Sequence, residues 1–172
     1  MIILQTSDFV GFFKLAISTE ITPVLQAYID RYEAKYIRKL LGINLGNAFI
    51  ADKSEPTQDP VYAVIEQPFQ VEDDNVNHES LGMKHLLASM VFYHFTVDMQ
   101  SSHSQSGVIR RALETALQMT SASASRMGEK KWNDSIPTWR EIQWYVDEYA
   151  PEDYADPAFN GEKISPQWGS IM

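Results

Sequence analysis

The sequence predicts an all-α protein, a small bundle of about four to five helices followed by an extended C-terminal tail. Three observations support this fold class. Apolar residues recur at helical spacing in several long segments, Pro and Gly mark helix ends, and the last segment has aromatic residues without any helical period. At 172 residues and 44% hydrophobic content, the chain can bury one core. We assign residues 1–150 to one helical domain and 151–172 to the tail.

Composition excludes several classes of function. The chain has no cysteine, which excludes disulfides and thiolate catalysis. Its 14 basic and 23 acidic residues give a net charge of −9, which disfavours broad nucleic-acid binding. The apolar segment 81–99 carries Lys84, His94 and Asp98, too many polar groups for a membrane span. We expect no membrane partner, and the start of the chain lacks the basic region of a secretory signal.

The first residues predict short elements. Residues 2–4, "IIL", read as an edge strand or a packed arm. Ser7 and Asp8 are candidate caps for a short helix through "FVGFFKLA", which Gly11 weakens.

A long helix follows, "ITPVLQAYIDRYEAKYIRKLLG", with Thr22 as the predicted N-cap, Pro23 in its first turn and Gly42 at its end. Tyrosines recur in it every fourth residue on one face, at positions 28, 32 and 36. A tyrosine buries a ring and keeps a polar tip, which suits a contact with another chain or a seam with the central helix.

In the middle of the chain, the residue pattern predicts a short helix over 43–52 and a loop over 53–60. "VYAVIEQPF" fits either a strand or two helical turns. "VEDDNVNHES" is interpreted as an acidic connector, in which Asn77 caps a central helix over 81–99 that is surrounded by protein.

The segments after the central helix alternate between polar and helical character. Polar "SSHSQSG" at 101–107 predicts a loop, and "VIRRALETALQM" has the propensity of a helix over 108–119. We expect Pro137 to kink or restart the last helix, with Ser135 as its cap. Trp132 and Trp139 share one face and Trp144 lies on another, which indicates a helix packed on two sides, the second covered by the same chain or by another chain.

The tail 151–172 carries five spaced apolar side chains. Such anchors on an extended segment suit docking into grooves of the same body or of a neighbour. They are Tyr154, Phe159, Ile164, Trp168 and Ile171.

Candidate chemistry is sparse. His94 and Asp98 are spaced as a pair of metal ligands on one helix, but no further ligand has matching spacing. We interpret His94 as a histidine bonded to a carboxylate beside the core. Phosphate-binding glycine loops and the GxSxG and HExxH motifs are missing from the sequence, and "EDDN" at 72–75 is interpreted as a solvated loop. We therefore predict no catalytic residue, no metal and no cofactor.

Two basic pairs stand out from the acidic background, Arg110 with Arg111 and Lys130 with Lys131. Each suits contact with a phosphate backbone or an acidic neighbour, or simple surface solubility.

The order of motifs resembles the head–tail connector (adaptor) proteins of tailed bacteriophages, especially phages that infect Bacteroidetes. The resemblance covers residues 20–150. It is carried by "LQAYIDRYEAKYIRKLLG", "LGNAFIAD", "LGMKHLLASMVFYHFTVD", "SGVIRRALETALQM", "KKWND" and "IQWYVDEY".

The resemblance implies a structural virion protein of the neck, made in the host bacterial cytoplasm and without enzymatic activity. Copies form a ring that joins the portal protein to the next tail or ring protein, and DNA passes through the lumen without specific binding. It also implies that 101–125 form a long projecting loop or arm between subunits, which competes with a helix over 108–119. The interface candidates are Tyr28, Tyr32, Tyr36, Arg110, Arg111, Trp132 and Trp168.

Two alternatives stay open at this point. One is a small helical adaptor or regulatory module that binds a protein partner without catalysis. The other is a metal-dependent enzyme that uses His94 and Asp98.

Overall fold

A computed structural model describes residues 2–13, 15, 18–101 and 121–149 of the chain. These residues form five α-helices and one β-hairpin, so the predicted mostly helical character is confirmed and a purely all-α fold is wrong. The elements are α1 (Ile21–Leu41), α2 (Ile43–Asp52), α3 (Pro60–Glu66), β1 (Phe69–Asp73), β2 (Val76–Ser80), α4 (Gly82–Ser101) and α5 (Ser121–Tyr149).

Helix α1 begins slightly earlier than the sequence predicts. The Ile21 N–H donates to Ser18 Oγ at 3.3 Å, and the Thr22 hydroxyl donates to the Ser18 carbonyl at 2.8 Å. Thr22 as the N-cap is therefore wrong, because it lies inside the helix and bonds back to the preceding turn. Gly42 ends α1 as predicted, with φ of +77°, a conformation that other residues rarely adopt.

A buried carboxylate holds the first residues of the described chain. Glu33 of α1 is only 2% exposed, and its two oxygens accept the backbone N–H groups of Ile2, Ile3 and Leu4 at 2.8, 2.6 and 2.7 Å. Residues 2–4 are thus a packed arm, the second of the two predicted alternatives. Three charge-assisted bonds compensate for the burial of the Glu33 carboxylate.

The short helix predicted near the N-terminus is a single 3-10 turn, Thr6–Phe9. Asp8 accepts the Gln5 N–H at 2.7 Å and so closes this turn. The turn stops at Phe9, so the predicted continuation is wrong for residues 10–13 and 15, while Lys14 and Ala16 lie outside the described residues. Gly11 lies just beyond, at φ of +78°.

The segment interpreted as an acidic connector is instead an antiparallel hairpin. Phe69 lies opposite Ser80, and Asp73 lies opposite Val76. Asp74 and Asn75 form the turn with φ of 45° and 65°, the left-handed values that a two-residue hairpin turn of this type requires.

Helix α4 begins directly after the second strand of the hairpin. Asn77 as its cap is wrong, because Asn77 lies in β2. The Ser80 hydroxyl accepts the Gly82 N–H at 3.1 Å. A Cβ on Gly82 would lie 2.5 Å from the Gln67 carbonyl oxygen, so this junction requires glycine.

The two short helices follow local signals. Helix α2 has the predicted bounds. The ambiguous segment "VYAVIEQPF" starts as helix α3, with Pro60 at its first position and the Asp59 carboxylate accepting the Val61 N–H at 2.8 Å.

Helix α4 is the centre of the core, as predicted. It contacts α1, α3, α5 and the N-terminal 3-10 turn. Its buried side chains surround the helix axis: Met83, Leu86, Leu87, Ala88, Ser89, Met90, Val91, Phe92, Phe95 and Thr96. No helix of the described residues is long and apolar enough to cross a membrane.

Helix α5 runs without a break through Pro137, contrary to the predicted restart. Ser135 is not a cap, because its hydroxyl donates to the Trp132 carbonyl at 2.7 Å within the helix. Pro137 is exposed, so its ring points away from the α4 contact. Residues 121–125 are the first turn of α5, so the predicted loop over 101–125 is wrong for them and for Ser101. Residues 102–120 and 150–172 lie outside the described residues.

Gly128 permits the close approach of α5 to α4. A Cβ at this position would lie 2.2 Å from Thr96 Oγ1 and 3.3 Å from the Tyr93 Cα. We expect Gly128→Ala to lower the free energy of unfolding by about 1–3 kcal/mol, because overpacking separates the helices. Urea denaturation measures this loss.

The double variant Gly128→Ala with Thr96→Ala is the control for that change. Removing Thr96 Oγ1 removes the shorter contact, so the double variant should lose less than the sum of the single losses. Strict additivity would contradict the close approach.

Glu33→Gln should release the N-terminal arm. We expect the free energy of unfolding to fall by about 1.5–3 kcal/mol, because the amide cannot replace a charged acceptor of three N–H groups. Amide hydrogen exchange at Ile3 and Leu4 should accelerate. Glu55→Gln, at an exposed position, is the matched control for the lost charge. Unchanged protection of both amides would refute the role of Glu33.

Candidate functional site

The tyrosine stripe of α1 lies at the seam with α4. Tyr32 and Tyr36 are 6% and 4% exposed, and Tyr28 is half-buried with its ring edge-on to Phe95 at 5.6 Å. Of the two predicted places for these rings, the structure shows the seam with the central helix, α4. Tyr32 and Tyr36 have little surface left for another chain.

His94 of α4 joins this stripe. Its imidazole stacks on the Tyr32 ring at 4.0 Å between centroids and 2° between planes. Its Nε2 lies 2.6 Å from the Tyr36 hydroxyl, and the Trp132 ring of α5 meets Tyr36 edge-on at 5.7 Å. We call Tyr28, Tyr32, Tyr36, His94 and Trp132 the aromatic cluster.

Burial keeps the aromatic cluster uncharged. Desolvation lowers the pKa of His94 to about 4, an effect that Asp98 opposes and Lys35 strengthens. Desolvation also raises the pKa of Tyr36. At neutral pH the bond between them therefore joins a phenol to a neutral imidazole, and α1 is tied to α4 without a buried charge.

The predicted carboxylate partner of His94 is wrong, since Nε2 bonds to Tyr36. The charge of Asp98 raises the pKa of His94 against the effect of burial. Burial is the largest cause of the raised pKa of Tyr28, and Asp98 raises it further. Within the described residues, no group of three or more side chains is placed to hold a metal ion. Both residues of the predicted metal pair thus interact with tyrosines of the aromatic cluster.

Basic side chains cover the outer edge of the aromatic cluster. The Arg31 guanidinium and the Lys35 ammonium each lie 5.3 Å from the Tyr32 ring centroid, and the Lys39 ammonium lies 5.7 Å from that of Tyr36. These cation–π distances place the charges over the rings. We call Arg31, Lys35 and Lys39 the basic face.

A second aromatic contact fastens the hairpin to α5. The His78 ring stacks on Trp144 at 3.4 Å and 4°, and its Nδ1 lies 2.8 Å from Glu141 Oε2. Trp139 is fully buried on the other side of α5, so the predicted two-sided packing is confirmed. The second side is covered by the hairpin of the same chain.

The remaining candidates are placed as follows. Trp132 is 6% exposed and is a core residue. The Lys131 ammonium lies 3.2 Å from the Phe12 ring centroid, which anchors it to the N-terminal segment. Arg110, Arg111 and Trp168 lie outside the described residues.

The hairpin turn carries a charged surface, at the segment that the sequence predicts as a solvated loop. Glu72 and Asp74 are exposed, and Asp73 is half-buried. We call these three residues the acidic tip. The signal for it was present in the Asp74–Asn75 dipeptide, a pair of residues that tolerate positive φ.

No family model, no curated protein and no solved structure matches this chain.

The neutral state of His94 predicts a pH-dependent stability. An unfolded histidine titrates near its ordinary value of 6.5 and folded His94 near 4, so the unfolded chain binds the proton first. Stability from this group is complete above pH 6.5 and is lost as the pH falls to about 4.

His94→Phe tests this because it keeps an aromatic ring and cannot titrate. Its free energy of unfolding should fall less steeply than that of the wild type over this interval, as measured by urea denaturation at a series of pH values. His85, whose pKa burial and Lys131 also lower, is present in both proteins and cancels in the comparison. Parallel curves would contradict the neutral His94.

Proposed function

We propose that the protein is a structural connector of a tailed-bacteriophage virion. Copies form a ring in the neck that joins the portal to the next tail or ring protein and lets DNA pass. The resemblance of residues 20–150 to head–tail connector proteins supports this proposal. The mostly helical fold is compatible with the small helical bundle that the resemblance implies.

The observation that carries the proposal is that exposed charges of opposite sign lie on two separate elements of this helical body. The basic face lies on α1, while the acidic tip projects from the hairpin that packs on α5. A ring subunit must present two unlike lateral surfaces, because a heterologous contact repeats around the axis. This chain offers such a pair in spite of its net charge of −9.

The net negative charge also suits the passage of DNA. An acidic lumen repels the phosphate backbone, so the polymer moves without being held.

The side chains that most suit catalysis support a structural role. His94 is occupied by Tyr32 and Tyr36, and His78 is occupied by Trp144 and Glu141. Each histidine joins two elements of secondary structure. Stacked rings at such sites rigidify a scaffold.

Negative-stain imaging of the purified protein, alone and mixed with a portal protein of a Bacteroidetes phage, tests the proposed function. We expect ring-shaped particles, either free or seated on the portal. Mass photometry of the same samples measures the number of copies. A monomer or dimer that never associates with the portal would favour the helical adaptor alternative.

A further inference from the structure

We propose that the basic face of one copy binds the acidic tip of the next copy. This interaction rests on the proposed ring and names the surfaces that would form its lateral contact. The partner is therefore a second copy of this chain, recognised by opposite charge.

The basic face is oriented by the core beneath it. Arg31 and Lys35 are exposed, yet both lie against the Tyr32 ring, which itself is buried on His94. Within the described part of the chain, neither of these two cations forms an ion pair. The rings thus position two positive charges whose partners are left to another surface.

The acidic tip is positioned by the hairpin. Glu72 lies opposite Asn77, Asp73 lies opposite Val76, and Asp74 stands in the turn. Across the residues that the structure describes, none of the three carboxylates forms an ion pair. Val76 beside them is 54% exposed, so the tip offers an apolar side chain along with its charge.

Within one copy, no ion pair of the described residues joins the two surfaces. The basic face lies on α1, over the Tyr32 ring, whereas the acidic tip lies at the turn between β1 and β2. An interaction between copies brings the two surfaces together without a change of fold.

Opposite charge at this contact also offsets the repulsion between copies of an acidic protein. Copies with a net charge of −9 repel one another at a distance. Pairing the acidic tip with the basic face places unlike charges at the contact and fixes its direction, from one copy to the next. Because the two surfaces differ, the contact is heterologous and closes into a ring when its rotation permits.

Charge reversal tests the pairing. The variants are Arg31→Glu with Lys35→Glu, which reverses the basic face, and Glu72→Lys with Asp74→Lys, which reverses the acidic tip. Ring formation is followed by mass photometry on the full chain, with portal protein where the wild type requires it. We expect each variant to raise the concentration for half-assembly at least ~10-fold, because like charges then meet.

Mixing the two variants is the decisive measurement. The reversed basic face of one variant complements the reversed acidic tip of the other, so rings that alternate the two should form again. The matched control for the basic-face variant is Arg126→Glu with Arg140→Glu, which changes net charge by the same amount at exposed positions of α5 and should assemble like the wild type. Circular dichroism confirms that each variant is folded.

Other outcomes overturn the pairing. If both charge-reversal variants assemble like the wild type, or if mixing them fails to restore assembly, the pairing of the two surfaces is refuted. The proposal that the wild type forms a ring is unaffected by either result. Loss of DNA binding in the Arg31 and Lys35 variant with normal assembly would identify a phosphate-binding surface instead. If wild-type protein never assembles, the proposed function itself fails, and the two failures are thereby distinguished.

Discussion

The stack of neutral His94 on Tyr32 is the contact on which the arrangement of the other elements depends. It joins α1 to α4 through the two rings, and the Tyr36 hydroxyl bonds to the same imidazole. Trp132 of α5 closes the group from the third side. Because burial keeps the imidazole uncharged, the bond between His94 and Tyr36 requires no buried charge. This contact holds α1 against α4 directly beneath the basic face.

The hairpin is held by a similar stacked aromatic contact, near the other end of α4. His78 stacks on Trp144 and is held by Glu141, so a two-stranded sheet that would be marginal alone is anchored to a long helix. Gly82 then lets the chain turn from β2 into α4 at a point where a side chain would meet the backbone. The hairpin and the tyrosine stripe are thus held by the same kind of aromatic contact, on separate helices.

These two contacts explain how an acidic protein can present distinct surfaces. Net charge alone describes one uniformly repulsive particle. The fold instead places two cations over the Tyr32 ring of α1 and carboxylates at the hairpin turn. This placement supports the directed contact between copies that we propose. The buried Glu33 carboxylate has a different role, since it binds the N-terminal arm within its own chain.

The sequence by itself determined the elements whose signals are local. Helical periodicity located α1, α2 and α4, and Gly42 marked an end, because these features depend on neighbours a few residues apart. Only the tertiary structure decided that Tyr32 is buried and that His94 pairs with Tyr36, 58 residues away in the chain. It also allowed α5 to continue through exposed Pro137 and turned an acidic segment into a hairpin anchored by Trp144. In each case, contacts between residues far apart in the chain supply the free energy that stabilises the arrangement. A local sequence pattern does not specify which distant residue will make the contact.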